Sequence, residues 1–151
     1  MKKSIIFLLL IIILLCGCNN VSKEKNIYLN SIKELEKVSK SDDDIPFDIE
    51  VRYDKLIKSE VRYEVILDNV KENISDISMI AIHDKKTDDV YPSIGIFDKK
   101  ESLKVNKKPS GLILVGYVDY KGDIKNFKMK TKVLIKYKIN NKEYIKHYVT
   151  K

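Results

Sequence analysis

The stretches FDIEVRYD at residues 47–54 and VRYEVILD at residues 61–68 decide the fold of this sequence. In the first, Phe47, Ile49, Val51 and Tyr53 alternate with charged residues, and apolar residues again occupy every other position from Val61 onward. Successive side chains of a strand point to opposite faces of its sheet. This period of two therefore predicts two strands, each with one buried and one solvated face.

Further strand-like segments continue to the end of the chain, separated by short runs of turn residues. They cover residues 77–83, 90–97, 103–105, 112–120, 127–139 and 144–149. Seven or eight strands with no helical period between them predict an all-β fold, and we expect an immunoglobulin-like antiparallel β-sandwich. The chain has no Trp, and the core Trp and inter-sheet disulfide of antibody domains are both missing, so the analogy concerns architecture alone.

The register of the last hairpin has two solutions. A two-residue turn at Asn140 and Asn141 would pair Tyr137 with Tyr144. A three-residue loop would instead turn the alternate residues of the final strand, including His147, toward the core.

Residues 18–46 differ in character from the strand-like segments. Apolar residues at Ile27 or Tyr28, Ile32, Leu35 and Val38 recur at spacings of three and four, which predicts an amphipathic helix over residues 27–39. A polar run and a proline then end the helical pattern. We expect a spacer at residues 18–46 whose helix docks only lightly, and then an independent β-sandwich domain at residues 47–151.

The first eighteen residues differ in pattern from the rest of the chain and predict an export signal. A start with two lysines precedes eleven apolar residues, which are too few to cross a bilayer as a helix, and the run ends at Leu15-Cys16-Gly17-Cys18. This segment resembles the lipobox of bacterial lipoproteins. The resemblance implies a signal peptide at residues 1–17, cleavage before Cys18, a diacylglyceryl thioether on Cys18 and acylation of the new amine. An ordinary secretory signal peptide would share the charged start and the apolar run.

The implied address is the extracytoplasmic face of the cell membrane, with the protein held there by its lipid anchor. Two or more acyl chains give stable anchoring, whereas one chain is marginal. Cleavage also removes Cys16, so the mature chain keeps one thiol, blocked by lipid, and has no possible intramolecular disulfide.

Five lysines line one face of the predicted strand at residues 127–139, opposite its apolar face. They are Lys128, Lys130, Lys132, Lys136 and Lys138, called here the lysine stripe. Charge is uneven along the chain: residues 18–100 hold 14 Lys/Arg and 18 Asp/Glu, a net charge of −4, whereas residues 101–151 hold 13 Lys and 4 Asp/Glu, a net charge of +9. The stripe predicts binding of an envelope polyanion, although lysines on a solvated face also discourage edge-to-edge aggregation.

Residues typical of catalytic or metal sites are sparse. His83 and His147 are the only histidines, and too few for a zinc site by themselves. Two acidic clusters offer calcium-type oxygen ligands, although solvated turns explain them equally well. They are Asp42, Asp43 and Asp44, and Asp84, Asp88 and Asp89.

We therefore expect no catalytic residue, no bound metal and no cofactor apart from the covalent lipid. The predicted function is a non-catalytic binding, structural or immunity role, with an envelope polyanion or a protein as partner. Nucleic acid is not expected, because the address is extracytoplasmic and Arg52 and Arg62 are the only arginines. An enzyme or a metal-dependent site is the alternative.

Overall fold

The computed structural model describes residues 23–57, 59–87 and 90–150. Helix α1 covers residues 23–37. The strands are β1 (Asp48–Ile57), β2 (Glu60–Asp68), β3 (Ile74–His83), β4 (Ser93–Ile94), β5 (Glu101–Leu103), β6 (Leu112–Asp119), β7 (Thr131–Ile139) and β8 (Lys142–Val149), with one turn of 3₁₀ helix at Ile124–Asn126. The predicted signal peptide and Cys18 lie outside the described residues.

The strands form two antiparallel sheets. One has the order β1-β2-β6, and the other has the order β4-β3-β7-β8, with β5 also paired to β3. Their inner faces enclose a core that includes Val65, Ile77, Leu114 and Val133. The predicted all-β sandwich is confirmed at this level.

The first two strands and the last two strands each form a hairpin whose register agrees with the side-chain pattern. In the first, Ile49 pairs with Leu67 and Tyr53 with Tyr63, so apolar side chains share a face. In the last, Tyr137 pairs with Tyr144, and the two rings stack with centroids 5.6 Å apart. The connecting asparagines, residues 140 and 141, both have positive φ, as a two-residue type I′ turn requires. The structure thus selects the two-residue turn.

Two predicted strands are shorter in the structure. In one a turn ends the strand pairing, and in the other hydrogen bonds to Asp84 replace it. Of residues 90–97, only Ser93–Ile94 pair with β3. Gly95 then turns at φ 69°, where a Cβ atom would lie 2.3 Å from the Ile77 carbonyl oxygen. The strand predicted from residue 127 begins at Thr131, because the amide and carbonyl of Lys130 bond to Asp84 instead.

Helix α1 packs on the outer face of the five-stranded sheet and forms a second core there. Leu35 is fully buried against Ile80 and Ile82 of β3 and Leu134 of β7. Tyr28 and Ile32 pack against the same cluster, two turns and one turn before Leu35 on the helix. The docking is closer than the narrow apolar stripe suggested, because the sheet presents apolar residues on its outer face as well.

The segment after α1, residues 38–46, runs along the free edge of β8 and is called here the strap. The Asp42 amide donates to the His147 carbonyl at 2.9 Å, and the Ser41 hydroxyl both donates to the Val149 carbonyl at 3.2 Å and accepts from its amide at 2.9 Å. The Asp42 carboxylate accepts from the His147 amide at 2.8 Å. The Ser41 hydroxyl, the Asp42 carboxylate and the Asp42 amide thus satisfy backbone groups of an edge that would otherwise be open to another strand.

Candidate functional site

Three residues of the lysine stripe contact other parts of the chain. Lys132 donates from Nζ to the carbonyls of Leu35 at 3.1 Å and Glu36 at 2.9 Å, in the last turn of α1. A cation is favourable there because the helix ends in unpaired carbonyls and the negative end of its dipole. Lys136 lies 3.8 Å from the Glu34 carboxylate on the same helix.

Lys138 pairs with carboxylates beside it on the sheet. Its Nζ lies 2.7 Å from Asp76 of β3 and 3.9 Å from Glu143 of β8. The hydrogen bond and ion pair with Asp76 raise the pKa of Lys138, and the same contact lowers the pKa of Asp76. This part of the stripe is thus already paired with acidic side chains of the chain itself.

The other two lysines of the stripe, Lys128 and Lys130, precede β7. Both are exposed, and within the described ranges neither ammonium group pairs with a carboxylate. The structure therefore divides the stripe into a paired part within β7, at Lys132, Lys136 and Lys138, and a free part just before β7, at Lys128 and Lys130.

The free lysines border a groove at the edge of the sandwich, of about 1110 Å³. It lies between β1, the residues before β7, the end of β8 and the start of the strap. Lys40, Lys128 and Lys130 lie on its rim, with Glu50 and Asp84. Glu50 is bound by Arg52 at 2.7 Å, and Asp84 accepts the Lys130 amide at 3.0 Å, so both carboxylates already have partners.

Aromatic and apolar side chains line the same groove. Tyr53 and Phe127 contact edge to face with centroids 5.2 Å apart, and the Tyr53 hydroxyl donates to the Met129 carbonyl at 3.1 Å. Burial raises the pKa of Tyr53. Tyr148 lies at the β8 side. The groove therefore combines an ordered aromatic wall with unpaired ammonium groups on its rim.

His147 connects β8 to α1 and to the strap, a contact that the sequence did not reveal. Its Nε2 lies 3.0 Å from the Glu34 carboxylate and its Nδ1 lies 2.9 Å from the Asp42 carboxylate. Burial raises the pKa of Asp42, but the backbone and ring hydrogen bonds from His147 outweigh this and hold it below its usual value. More than a hundred residues separate His147 from each partner, so no local pattern could indicate the cluster.

His83 occupies a different environment. It is buried at the end of β3, with its ring edge to face against Tyr63 and Tyr91 at 5.3 and 5.2 Å. Burial lowers its pKa. His83 shares the inner face with Ala81, whereas His147 pairs with Leu134, which faces α1. The two histidines therefore lie on opposite faces of one sheet.

Contacts with β8 hold Asp42 and Asp43 of the first acidic cluster. The Asp42 side chain binds His147, and the backbone carbonyl of Asp43 accepts from Lys146 Nζ at 2.7 Å. Asp88 and Asp89 lie outside the described residues. Within the ranges that the structure describes, no three His, Cys, Asp or Glu side chains are placed to hold a metal ion.

No helix in the described part of the chain has the length and apolar character needed to span a bilayer. A scan against protein-family models found no match, and neither did a search of curated proteins.

Proposed function

We propose that the chain is a lipid-anchored, extracytoplasmic module without catalytic activity that binds an anionic envelope polymer in the groove at the sandwich edge. One observation carries this proposal. The ammonium groups of Lys128 and Lys130, which pair with no carboxylate within the described ranges, lie beside the aromatic side chains of the groove. The anchor is the lipid that the lipobox implies on Cys18.

We favour the groove over the rest of the lysine stripe because a polyanion bound elsewhere on the stripe would compete with contacts within the protein. A polyanion that bound Lys132 or Lys138 would have to displace the helix carbonyls or the Asp76 carboxylate. Binding at Lys128 and Lys130 breaks no such contact. Aromatic faces such as Tyr53 and Tyr148 give an extended polymer apolar surface to stack on, as in other proteins that bind extended chains.

We also propose that the sandwich is of the immunoglobulin-like type. In that fold the first, second, fourth and fifth of seven strands share one sheet, and the third, sixth and seventh share the other. The orders β1-β2-β6 and β3-β7-β8 match this division when β6 is taken as the fifth strand, whereas β4 and β5 pair with β3 and supply no fourth strand beside β6. The groove would then lie where the first and last strands approach each other at the open edge of the sandwich.

The binding proposal is tested with labelled inorganic polyphosphate and the mature chain carrying Cys18→Ser, with fluorescence anisotropy as the readout. Replacing Lys128 and Lys130 together with Gln should weaken binding tenfold or more, since each lysine near an anionic surface contributes about 1 kcal/mol. Binding should also weaken between 0.1 M and 1 M salt, as the screening length falls from about 10 Å to about 3 Å.

A charge-matched control separates the groove from net charge. Lys104 and Lys107 are exposed and lie outside the groove, so replacing both with Gln removes the same charge. This control should retain most of the binding. Equal loss in the two double variants would show a general charge effect, and absence of binding at low salt would reject the polyanion.

A further inference from the structure

The distance between the proposed anchor and the folded domain is short. Five residue steps separate Cys18 from residue 23, the first described residue of α1. Even fully extended, these steps reach about 18 Å. The start of α1 must therefore stay close to the bilayer whenever Cys18 carries its lipid.

Large apolar side chains are exposed around the start of α1. Ile27 on the helix is 40% exposed, Phe97 after β4 is 53% exposed and Ile145 on β8 is 50% exposed. Ile27 and Ile145 border one cleft of about 640 Å³. Phe97 packs on Tyr28 with ring centroids 5.3 Å apart, so it lies beside the first turns of the helix. These three residues are called here the apolar end.

Charged side chains surround the same cleft in balanced numbers. Its lining includes four lysines and four carboxylates, namely Lys23, Lys100, Lys136 and Lys138 with Glu24, Asp76, Asp98 and Glu143. A balanced ring of charges around exposed apolar groups suits the interface of a bilayer, where apolar side chains enter the acyl boundary and lysines extend to the headgroups. Because its charges are balanced, this cleft attracts an anionic polymer less strongly than the groove does.

We propose that the apolar end rests on the lipid bilayer in the anchored protein. The proposal rests on the lipid at Cys18, because a single anchor close to the domain brings this end, and no distant one, within reach of the membrane. Exposed apolar side chains that cluster on one part of a surface otherwise mark contact surfaces. Here the length of chain between anchor and helix identifies the contacting surface as the bilayer.

This orientation would present the groove away from the membrane. The cleft is bordered by the start of α1 and by Tyr144 and Ile145 early in β8, whereas the groove is bordered by residues 39–41 beyond the end of α1 and by residues 148–150. A fifteen-residue helix is about 22 Å long. The two surfaces therefore lie near opposite ends of α1, and the groove faces the envelope while the apolar end contacts lipid.

Chemical tethering tests this without cellular lipidation. The mature chain from Cys18 has one thiol, which can be coupled to a maleimide lipid in phosphatidylcholine vesicles containing about 30% phosphatidylglycerol, which supply an anionic surface. The chain has no Trp, so Phe97→Trp introduces a single reporter. Its emission should shift to shorter wavelength on tethering and should be quenched by brominated lipid.

Matched reporters complete the experiment. Ile145→Trp should respond like Phe97→Trp, which guards against a local disturbance at residue 97. Tyr117 is 42% exposed on β6 of the other sheet and provides the control. The emission of Tyr117→Trp should neither shift on tethering nor be quenched by brominated lipid. Equal quenching at positions 97 and 117, or quenching at neither, would overturn the proposal. Because coupling replaces the natural lipid, that result would leave the lipidation of Cys18 to be judged separately.

Discussion

Replacing Leu35 with Ala should destabilise the whole domain. Leu35 is fully buried in the cluster between α1 and the outer face of the five-stranded sheet. Truncation of a buried Leu to Ala costs about 2–5 kcal/mol, through lost apolar burial and the remaining cavity. We expect about 3 kcal/mol, because a helix resting on one face of a sheet can move partly into the space. This is a large share of a typical domain stability of about 5–15 kcal/mol.

Urea unfolding monitored by circular dichroism measures the effect. With a slope near 2 kcal/mol per molar, the midpoint should fall by about 1.5 M. Leu29→Ala on the same helix is the control, since Leu29 is 42% exposed and its loss should change the free energy of unfolding by no more than about 0.5 kcal/mol. A loss below about 1 kcal/mol for Leu35→Ala would refute the view that α1 is an integral part of the domain.

Three further predictions concern the removal of α1, the contact of Lys132 with α1, and the burial of His83. A chain beginning at Ser41 lacks α1 and uncovers Ile80 and Leu134, so it should aggregate or bind a hydrophobic dye, and a stable monomer in light scattering would contradict this. Lys132→Gln should cost about 1 kcal/mol and speed hydrogen exchange in the last turn of α1, because two helix carbonyls lose their cationic donor. Burial lowers the pKa of His83 below 6.5, so the unfolded chain takes up its proton first and the free energy of unfolding should fall as the pH drops below about 6.5. Urea titrations at pH 7.5 and 5.5 should show this dependence weakened in His83→Gln, and an unchanged dependence would exclude His83 as its source.

The strand pattern could be predicted where one face of a strand is buried and the other is wet. Strands β1 and β2 show this alternation, and their predicted positions agree closely with the structure. Prediction was less accurate at residues 90–97, because the positive φ of Gly95 and the short pairing of β4 depend on contacts with β3. The hydrophobic period of a sequence indicates which side chains are buried, but it does not show where pairing with a neighbouring strand ends.

The helix was predicted from its apolar spacing, but its binding surface was not. The outward residues of β3, such as Ile80 and Ile82, appear in the sequence only as part of a continuous apolar run, which does not say what covers them. For the same reason the contact of Lys132 with the end of α1 was hidden, since 97 residues separate Lys132 from Leu35. The lysine stripe was visible in the sequence, whereas its division into paired and free residues required the tertiary structure.

The lipid proposed on Cys18 underlies both the proposed address and the proposed orientation, and mass spectrometry of the membrane-extracted protein tests it most directly. The N-terminal peptide should begin at Cys18 and carry the mass of a diacylglyceryl thioether with an acylated amine, and Cys18→Ser should release the protein from the membrane fraction. An unmodified Cys18 in the mature chain, or a lipid found on Cys16 with Cys18→Ser still in the membrane fraction, would contradict the account.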